Sequence, residues 1–536
     1  MDRRLPVPGR PAMVARPPRW ITPHPNRRAR DRPAMPGPQT DPSRSIPACY
    51  ASRPLTRSAM AAEVQSSPGM PDQTIRQRPL AVGQLALELP IALPALGIEP
   101  EWKAQARLWG HSLHPMCSYL ASFPASLAHA FIARYTRPGD VVLDPFSGRG
   151  TAPLQAMAEG RIGVGNDLNP LAHVLTAAKL DAASPAETRT RLTSLRLAWA
   201  AEAPAWLALA DRVQNHPGHP AAMIPAAGSG NGPDARTETV PDEVAVAFHP
   251  RTLAQLLLLR SHLRLDQRAD RFLAGALAGI LHGKTASYLS TVMPNTFSMA
   301  PRYVLDFVAR SGYEAPSRDA FDALTVKLDR LYRQSLPTAP GIALHGDART
   351  AGRRARTGLR ARGLPDRARL VVTSPPYLRV LKYGYYNWLR TWLLGFDARA
   401  IDELLDDAHR REPYLAFLRE VFEDLRPAMT DDGIAVVVIG DVEMDRGKPS
   451  TDGIGLAERA WEEAALPAGF RLAGVLQDEV AANRKMTRLW GEEAGRATKT
   501  DRILVLGATE AGRRRALASA TLPIDWSWPP AKLRAL

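Results

Sequence analysis

Short apolar runs that end in polar or glycine-rich residues recur in two separate parts of the chain. The first part has runs at residues 141–143 and 162–165, and the second has runs at residues 342–344, 370–372 and 434–439. Runs of this length without polar alternation are typical of strands that are buried on both faces of a parallel sheet. Segments with apolar residues at helical spacing lie between them. This alternation predicts an α/β fold with a Rossmann-like, doubly wound sheet.

The two parts are separated by residues 181–340, where helical spacing of apolar residues replaces the short runs. We therefore expect a mostly helical insertion in the α/β core. Helices are predicted at residues 186–213, 253–265, 271–289 and 317–336, with a linker rich in Gly, Pro, Ser and Asn at residues 216–241. Residues 470–480 and 502–506 predict a terminal antiparallel pair of strands. The expected division of the chain is 1–90, 101–180, 181–340, 341–507 and 508–536.

The two ends of the chain differ in composition from the rest. Residues 1–80 carry +9 of the net charge of +15, with 14 Arg, no Lys and 16 of the 48 prolines. A segment so polar and so rich in Pro cannot bury enough apolar surface to fold, so we expect a disordered tail at residues 1–90. It is either a nucleic-acid-binding tail or an over-extended start, with translation beginning at Met60 or Met70. Residues 508–536 are basic and predict a weakly structured tail.

A glycine-rich octapeptide, Asp-Pro-Phe-Ser-Gly-Arg-Gly-Thr at residues 144–151, follows the first apolar run. Gly148 and Gly150 let the backbone approach a ligand closely, and the next helix offers free N–H groups. Asp167 stands where a ribose-binding acid is expected, about 20 residues downstream. The loop lacks the third Gly of a dinucleotide site, and Asp144 repels a pyrophosphate but suits an ammonium group. S-adenosylmethionine carries an ammonium, a sulfonium and a ribose; a tight strand–helix turn without a ligand is the alternative.

A proline-containing pentapeptide, Thr-Ser-Pro-Pro-Tyr at residues 373–377, follows the run at residues 370–372. Pro375 restricts Ser374 to extended conformations, and neither proline has an N–H to donate to a sheet. The Ser374 side chain and the Pro375 carbonyl can therefore accept hydrogen bonds from an amino group on a planar ring. The Tyr377 ring can stack on that planar ring. A proline turn before a helix is the alternative interpretation.

Together, the octapeptide and the pentapeptide resemble motifs I and IV of the amino-group DNA methyltransferases. Members of this family transfer a methyl group from S-adenosylmethionine to cytosine N4 or adenine N6. The family's usual residues are Asp-Pro-Phe-x-Gly-x-Gly-Thr and (Asp/Asn/Ser)-Pro-Pro-Tyr, and the form with Ser is typical of the cytosine-N4 branch. The resemblance covers residues 110–180 and 342–506 approximately.

The resemblance implies a methyltransferase sheet and a site with two halves. It implies that the cofactor is lined by Asp144, Phe146, Gly148, Gly150 and Thr151, with Asp167 on the ribose and Asp347 at the adenine edge. It implies that the target base is held by Ser374, Pro375, Pro376 and Tyr377. Residues 114–131 resemble motif X, which closes over the methionine end of the cofactor. The strand before Asp347 follows the insertion instead of preceding it, so a DNA-recognition role for residues 181–340 is inferred from position.

The chemistry expected is transfer to an exocyclic amine, with no metal and no covalent intermediate. The target base must leave the duplex stack, and hydrogen bonds to Ser374 and Pro375 would draw the amine nitrogen toward tetrahedral geometry. Methylation at cytosine C5 needs a thiolate nucleophile, and no cysteine follows Cys117. Cys49 and Cys117 are the two cysteines of the chain, too few for a disulfide framework or a cysteine-based metal site, which fits a reducing cytoplasm.

Several alternatives remain open on the sequence alone. Adenine N6 is the close variant of cytosine N4 as the target atom. The same cofactor loop occurs in RNA amino methyltransferases, for example at guanine N2, and a catalytically inactive nucleic-acid-binding protein could retain the fold. The expected partners are DNA and a cognate restriction endonuclease or other defence subunits, and the chain has no apolar run of 18 residues for a membrane span. Arg379, Lys382 and Arg390 either hold phosphates or lie on a solvated helix face.

Overall fold

The computed structural model describes the chain from residue 93 to residue 528, with gaps. The described ranges are 93–119, 122–216, 219, 223–229, 237–283, 288–290, 300–377, 382–404, 411–440, 455–479 and 500–528. The predicted N-terminal tail at residues 1–90 and Arg379 lie outside these ranges.

The apolar runs form strands, as their pattern predicts. The strands are β1 Val141–Asp144, β2 Ile162–Asp167, β3 Ile224–Pro225, β4 Thr237–Glu238, β5 Gly341–His345, β6 Ala368–Thr373, β7 Met429–Gly440, β8 Arg471–Glu479 and β9 Thr500–Gly507. Seven of them form one sheet in the order β5-β2-β1-β6-β7-β9-β8, and β3 pairs with β4 in a separate hairpin. That hairpin lies within the stretch for which the composition predicts a loop.

Parallel pairing dominates this sheet. β1 pairs in parallel with β2 on one side and with β6 on the other, while β5 extends the sheet beyond β2 and β7 extends it beyond β6. The chain thus changes winding direction between β1 and β6, which is where α/β sheets bind ligands. The terminal pair β8 and β9 is antiparallel as predicted, but β9 also pairs with β7 and lies inside the sheet. The predicted α/β, Rossmann-like class is confirmed.

Helices cover both faces of the sheet and fill the insertion. They are α1 Ala125–Tyr135, α2 Thr151–Ala158, α3 Pro170–Leu180, α4 Pro185–Asn215, α5 Asp242–Ala247, α6 Pro250–His262, α7 Arg268–Ala278, α8 Pro301–Ser311, α9 Ala320–Leu331, α10 Ala351–Arg360, α11 Tyr383–Tyr386, α12 Trp388–Leu393, α13 Ala398–Leu404, α14 Arg411–Leu425, α15 Leu456–Arg459 and α16 Glu510–Ala518. A π-helical turn, Ala460–Ala465, continues α15. None of the helices in the described ranges is long and apolar enough to span a membrane.

The alternation of side chains along β1 explains the two packed faces. Val141 and Leu143 are buried in the same cluster as residues of α10 and α14. Val142 points to the opposite face and is buried with residues of α1, α2 and α16. Because successive strand residues face opposite sides, a strand covered by helices on both sides is apolar throughout.

The insertion packs directly on the α/β core. Leu256 of α6 and Leu324 of α9 are buried in one cluster with Leu175 of α3 and Leu393 of α12. The helices α4 to α9 therefore share a hydrophobic core with elements that flank the parallel sheet. Helix α7 is shorter than the predicted 271–289, since it ends at Ala278. Gly279 follows, and a Cβ atom there would lie 1.8 Å from the Met116 carbonyl oxygen.

The prediction of a weakly structured tail from residue 508 is wrong for its first part. Residues Glu510–Ala518 form α16, and the Thr509 side chain accepts a hydrogen bond from the Ala511 amide at its start. Gly512 and Ala516 are buried because their small side chains allow α16 to pack closely on the sheet. The helix is rich in Arg, so its apolar periodicity is too weak to read from the sequence.

Candidate active site

The carboxyl ends of four parallel strands meet at one edge of the sheet. Asp144 ends β1, Asp167 ends β2, Asp347 lies two residues after β5, and Ser374 follows β6. A cleft with about 960 Å³ of free space, partly open to solvent, lies among them. Seven predicted site residues line it: Phe146, Gly148, Thr151, Asp167, Asp347, Ser374 and Pro376. The other four, Asp144, Gly150, Pro375 and Tyr377, do not.

The loop after β1 needs its glycines for conformation and for space. Gly148 and Gly150 have φ angles of 51° and 73°, in the left-handed region. At Gly150 a Cβ atom would also lie 2.9 Å from the Thr176 Oγ1 atom. The Gly148 amide donates to the Asp167 Oδ2 atom over 2.8 Å. The loop is therefore folded against the end of β2 and the middle of α3.

Helix α3 supplies two further anchors for this loop. The Thr176 hydroxyl donates to the Gly148 carbonyl over 3.2 Å. The Lys179 Nζ atom donates to the Arg149 carbonyl over 2.6 Å. The Lys179 side chain is fully buried, and this burial holds the pKa of its ammonium well below the ordinary value.

Asp144 joins the cofactor-type loop to the proline-containing stretch. Its Oδ1 atom accepts the Phe146 amide at 3.1 Å and the Thr373 hydroxyl at 2.7 Å. The side chain is 1 % exposed, and this burial raises the pKa of its carboxyl to about 7. The hydrogen bonds from the Thr373 hydroxyl and the Phe146 amide favour the ionised carboxylate, so they oppose the effect of burial on its pKa. Asp144 thus links, inside the protein, two motifs that are far apart in sequence.

Two acidic side chains face the cleft itself. Asp167 accepts two backbone amides, from Gly148 and from Asn169, and burial raises the pKa of its carboxyl to about 6. Asp347 accepts the Arg349 amide at 2.8 Å and so begins a 3-10 turn. Each carboxylate therefore has a fixed orientation and keeps lone pairs that can accept a donor from a ligand.

Aromatic rings line two walls of the cleft. The rings of Phe146 and Phe417 meet edge to face with centroids 5.8 Å apart. On another wall, the rings of Tyr119 and Tyr383 are stacked with centroids 6.0 Å apart. The Tyr119 hydroxyl accepts from the Asn169 Nδ2 atom over 3.0 Å, which ties this wall to the start of α3.

The proline-containing stretch carries a hydroxyl chain beside the cleft. The Tyr377 hydroxyl donates to the Asp501 Oδ2 atom of β9 over 3.4 Å, and the Ser374 side chain is hydrogen-bonded to the Tyr377 side chain. Burial and the nearby Asp501 charge raise the pKa of Tyr377 well above its ordinary value. Ser374 and Pro376 face the cleft.

The comparisons with known proteins address the part of the chain that contains the glycine-rich loop. Residues 99–177 match a family model of the N6 and N4 type that is described as "DNA methylase". These residues include the whole octapeptide and the Asp167 that binds its loop.

Residues 99–177 are thus similar to the N6/N4 DNA methylases.

Named type II methyltransferases are similar over short segments. The chain is 41% identical to M.Cfr9I of Citrobacter freundii over 64 residues, which is 12% of this chain and 21% of that protein. It is 39% identical to M.XycI of Xanthomonas campestris pv. cyanopsidis over 74 residues, 14% of this chain and 25% of that protein. It is 34% identical to M.MjaII of Methanocaldococcus jannaschii over 70 residues, 13% of each chain. The matched segments thus span a quarter or less of these methylases.

Two solved structures have some overall likeness to the chain. TrmN from Thermus thermophilus has a TM-score of 0.26 and 12% identity, over 73% of this chain and 51% of that chain. The rRNA methyltransferase aviRa from Streptomyces viridochromogenes has a TM-score of 0.27 and 13% identity, over 76% of this chain and 94% of that chain. TM-scores this low bear on neither the fold nor the substrate.

The methyl donor implied by the N6/N4 methylase family is S-adenosylmethionine. The cleft suits such a ligand, since it combines carboxylates for hydroxyl or ammonium groups, aromatic edges for a ring, and a left-handed glycine that leaves the wall without a Cβ atom. Within the described ranges, no group of three or more His, Cys, Asp or Glu is arranged to hold a metal ion.

Several cleft residues escape sequence reasoning. Asn169 reads as a helix N-cap, which it is, since its Oδ1 atom accepts the Leu171 amide. Phe417 reads as an apolar position of α14, and Tyr383 as a position of a longer helix. Nothing in their local pattern distinguishes them from packing residues. The cleft-lining Tyr119, by contrast, lies in the segment that resembles motif X, so its placement was open to prediction.

Both sequence-based interpretations of Arg390, a phosphate contact and a solvated helix face, are wrong. Arg390 is 6% exposed and is bonded inside the protein, where it donates to the Ala278 carbonyl, the Asn387 side chain and the Ser118 hydroxyl. It connects α12 to α7 and to the segment before α1. The charge pattern of a short helix predicts a surface position, because it does not reveal that a neighbouring helix covers Arg390.

Proposed function

We propose that the chain is an S-adenosylmethionine-dependent DNA methyltransferase that acts on an exocyclic amino group of a flipped base. Cytosine N4 is the proposed target atom, since the pentapeptide has the Ser form, and adenine N6 is the close variant. The proposal extends the family-model match of residues 99–177 to the activity of the whole chain.

One observation carries the proposal. The octapeptide after β1 and the pentapeptide after β6 lie at adjacent strand ends, on either side of the point where the winding direction changes, and both line one cleft. The Asp144 carboxylate links them through the Phe146 amide and the Thr373 hydroxyl. A single site that holds a cofactor and a substrate side by side needs this arrangement.

The cofactor half is proposed as follows. Asp167 would accept ribose hydroxyls, Asp347 would accept a donor of the adenine, and Phe146 would contact the adenine ring. Gly148, Gly150 and Thr151 would form the turn and helix start beside the methionine portion. Bound there, S-adenosylmethionine would supply an electrophilic methyl group. Asp144 would position the loop from within the protein.

The base half is proposed to orient a poor nucleophile. An amine conjugated to its ring has a delocalised lone pair, and hydrogen bonds from its N–H groups to Ser374 and to the Pro375 carbonyl would draw the nitrogen toward tetrahedral geometry. Pro376 lines the cleft and would limit the space for the base. The Tyr377 ring does not line the cleft in this structure, so stacking of the base on it, which would offset about 1–3 kcal/mol of the unstacking cost, is proposed for the DNA-bound state.

DNA is the proposed macromolecular partner, with contacts from the helical insertion at residues 181–340. The names of the relatives, type II methyltransferases, also support a cognate restriction endonuclease as a partner. Co-purification of the chain with the product of a neighbouring gene would test that second partner.

The proposed function is tested by methyl transfer from labelled S-adenosylmethionine to duplex DNA, single-stranded DNA and total RNA in separate reactions. Digestion to nucleosides and mass analysis then identify the product. N4-methylcytosine in DNA is the expected result, and N6-methyladenine in DNA would change the target atom alone. Label in RNA, or in no nucleic acid despite cofactor binding, would contradict the proposal.

A further inference from the structure

Asp501 contributes a carboxylate to the base half of the site from a strand that has no part in either motif. It lies near the start of β9, paired with Gly440 at the end of β7. The Tyr377 hydroxyl donates to its Oδ2 atom over 3.4 Å, and the Tyr377 side chain is also bonded to the Ser374 side chain. Ser374, at the other end of this chain of bonds, lines the cleft.

The chemistry of these groups fixes the direction of the chain. An ionised carboxylate can accept hydrogen bonds but cannot donate one, so the Tyr377 proton points to Asp501. The Tyr377 oxygen then accepts the bond that joins it to Ser374, and the donor of that bond is the Ser374 hydroxyl. A serine hydroxyl has one hydrogen. With that hydrogen directed to Tyr377, the Ser374 Oγ atom presents lone pairs to the cleft.

We propose that Asp501 is a positioning residue that forces Ser374 to act as a hydrogen-bond acceptor for the target amine. The inference rests on the proposed function. An aspartate at position 374 would accept by its own charge, whereas a free serine hydroxyl can also donate to the amine lone pair, and that lone pair must stay available for transfer. Through Tyr377, the Asp501 carboxylate keeps the Ser374 hydrogen directed away from the cleft. Ser374 can then only accept a hydrogen bond from the amine, as an aspartate at this position would.

Removal of the carboxylate should therefore lower the rate of transfer and leave cofactor binding intact. For Asp501→Ala we expect kcat on enzymatically amplified, unmethylated bacterial DNA to fall about 10- to 100-fold, the range expected for a lost charge-assisted hydrogen bond. The dissociation constant of S-adenosylmethionine, measured by calorimetry, should stay within about twofold. Asp501→Glu should recover part of kcat, and Asp501→Asn should lie between Glu and Ala, since an amide can accept or donate.

A double-mutant cycle separates a relay from a general loss of structure. Tyr377→Phe keeps the ring and removes the hydroxyl, so it should lower kcat by about the same factor as Asp501→Ala. The double variant should be no slower than either single variant, because each breaks the same chain of bonds. Asp478→Ala is the matched control: Asp478 pairs with Asp501 in the neighbouring strand, but its carboxylate contacts Trp102 and Lys103.

The outcomes distinguish the inference from the function on which it rests. An active wild type with the graded loss and the non-additive cycle supports the inference. An active wild type whose kcat is unchanged in Asp501→Ala, or a double variant in which the two losses multiply, overturns the inference and leaves the methyltransferase proposal standing. A wild type that methylates no nucleic acid overturns both.

Discussion

The loop after β1 and the stretch after β6 face the same cleft but are held in different ways. The loop is anchored by residues close in sequence, since the bonds to Asp167, Thr176 and Lys179 span 19, 28 and 30 positions. The stretch after β6 is anchored by distant residues. The Thr373 bond to Asp144 spans 229 positions, and the Tyr377 bond to Asp501 spans 124.

One β-α-β unit is enough to hold the loop after β1 in place, whereas the stretch after β6 needs the complete sheet. Ends that are close in sequence meet at a small loss of chain entropy, whereas distant ends need the intervening fold to bring them together. The cofactor half should therefore respond to changes in its own backbone. The base half should respond to side chains on other strands, even where these touch no ligand.

The largest effect is expected from a substitution that distorts the backbone of the cofactor half. Gly150→Ala combines a left-handed φ of 73° with a methyl group 2.9 Å from the Thr176 hydroxyl oxygen. We expect the free energy of unfolding to fall by about 2–4 kcal/mol, with loss of S-adenosylmethionine binding. Gly139→Ala is the matched control, with a φ of 88° and no neighbour within 4 Å of the added atom, so it should cost about 1 kcal/mol. Equal losses in urea melts of the two variants would contradict the steric argument.

The next effect concerns a carboxylate with two backbone partners. Asn at position 167 has one acceptor oxygen, so Asp167→Asn leaves either the Gly148 or the Asn169 amide facing an NH₂ group. We expect S-adenosylmethionine affinity in calorimetry to fall about 10- to 100-fold, the range for one unpaired donor. Asp140→Asn is the control: Asp140 accepts the Arg137 amide with one oxygen, which an amide oxygen can replace. Unchanged affinity in Asp167→Asn would remove that residue from the cofactor half.

A third effect concerns Asp144, which links the two halves by hydrogen bonds, and this effect depends on pH. The pKa of Asp144 is raised to about 7, so the folded protein holds this proton more tightly than the unfolded chain does. Its contribution to stability is therefore fully present below about pH 4 and is lost as the pH rises to about 7. In Asp144→Asn the side chain does not ionise, so its contribution to stability does not fall as the pH rises. The amide oxygen can still accept both hydrogen bonds.

The variant should thus match the wild type near pH 4 and exceed it by about 1–3 kcal/mol at pH 8. Part of the raised pKa of Asp144 comes from the nearby Asp167 charge, so the difference includes that interaction. Urea melts across this pH range measure the difference directly. A gap that stays constant with pH, or that widens toward pH 4, would contradict the assigned direction.

The smallest effect is expected from the loss of one hydrogen bond in the base half. Thr373→Val removes the hydroxyl that bonds to Asp144 and keeps a similar side-chain size. We expect kcat to fall about five- to tenfold, the equivalent of one hydrogen bond that contributes about 1 kcal/mol, with unchanged cofactor affinity. Thr188→Val is the control, since Thr188 is equally buried and its hydroxyl bonds to the Ser184 carbonyl and the Tyr332 hydroxyl, neither of which lines the cleft. If both variants lose cofactor affinity, the separation of the two halves does not hold.

The sequence reveals the local half of this site better than the long-range half. Asn169 and Pro170 are recognisable start signals for α3, and Gly160 is a stop signal just after the end of α2, so these bounds can be read from the sequence. The glycines and Asp167 stand in a recognisable order within one unit of the fold. Their meeting follows from the strand–helix–strand arrangement alone.

The long-range half is harder to predict for physical reasons. Asp501 precedes a buried strand and reads as a polar strand end, and its closeness to Tyr377 follows from the position of β9 beside β7. A terminal antiparallel pair can be predicted from the sequence, but not which of its two strands pairs with the parallel sheet. Likewise, Asp144 reads as a ligand-facing acid, and only the register of β1 and β6 reveals that it faces Thr373.

The position of β9 also has a consequence for biosynthesis. β7 and β8 leave the ribosome before β9, yet neither pairs with the other, because β9 lies between them. Until residues 500–507 emerge, a nascent chain can complete its cofactor loop but exposes an unpaired edge of β7 and lacks Asp501. The last strand within the described ranges therefore both fills the gap between β7 and β8 and brings Asp501 next to Tyr377.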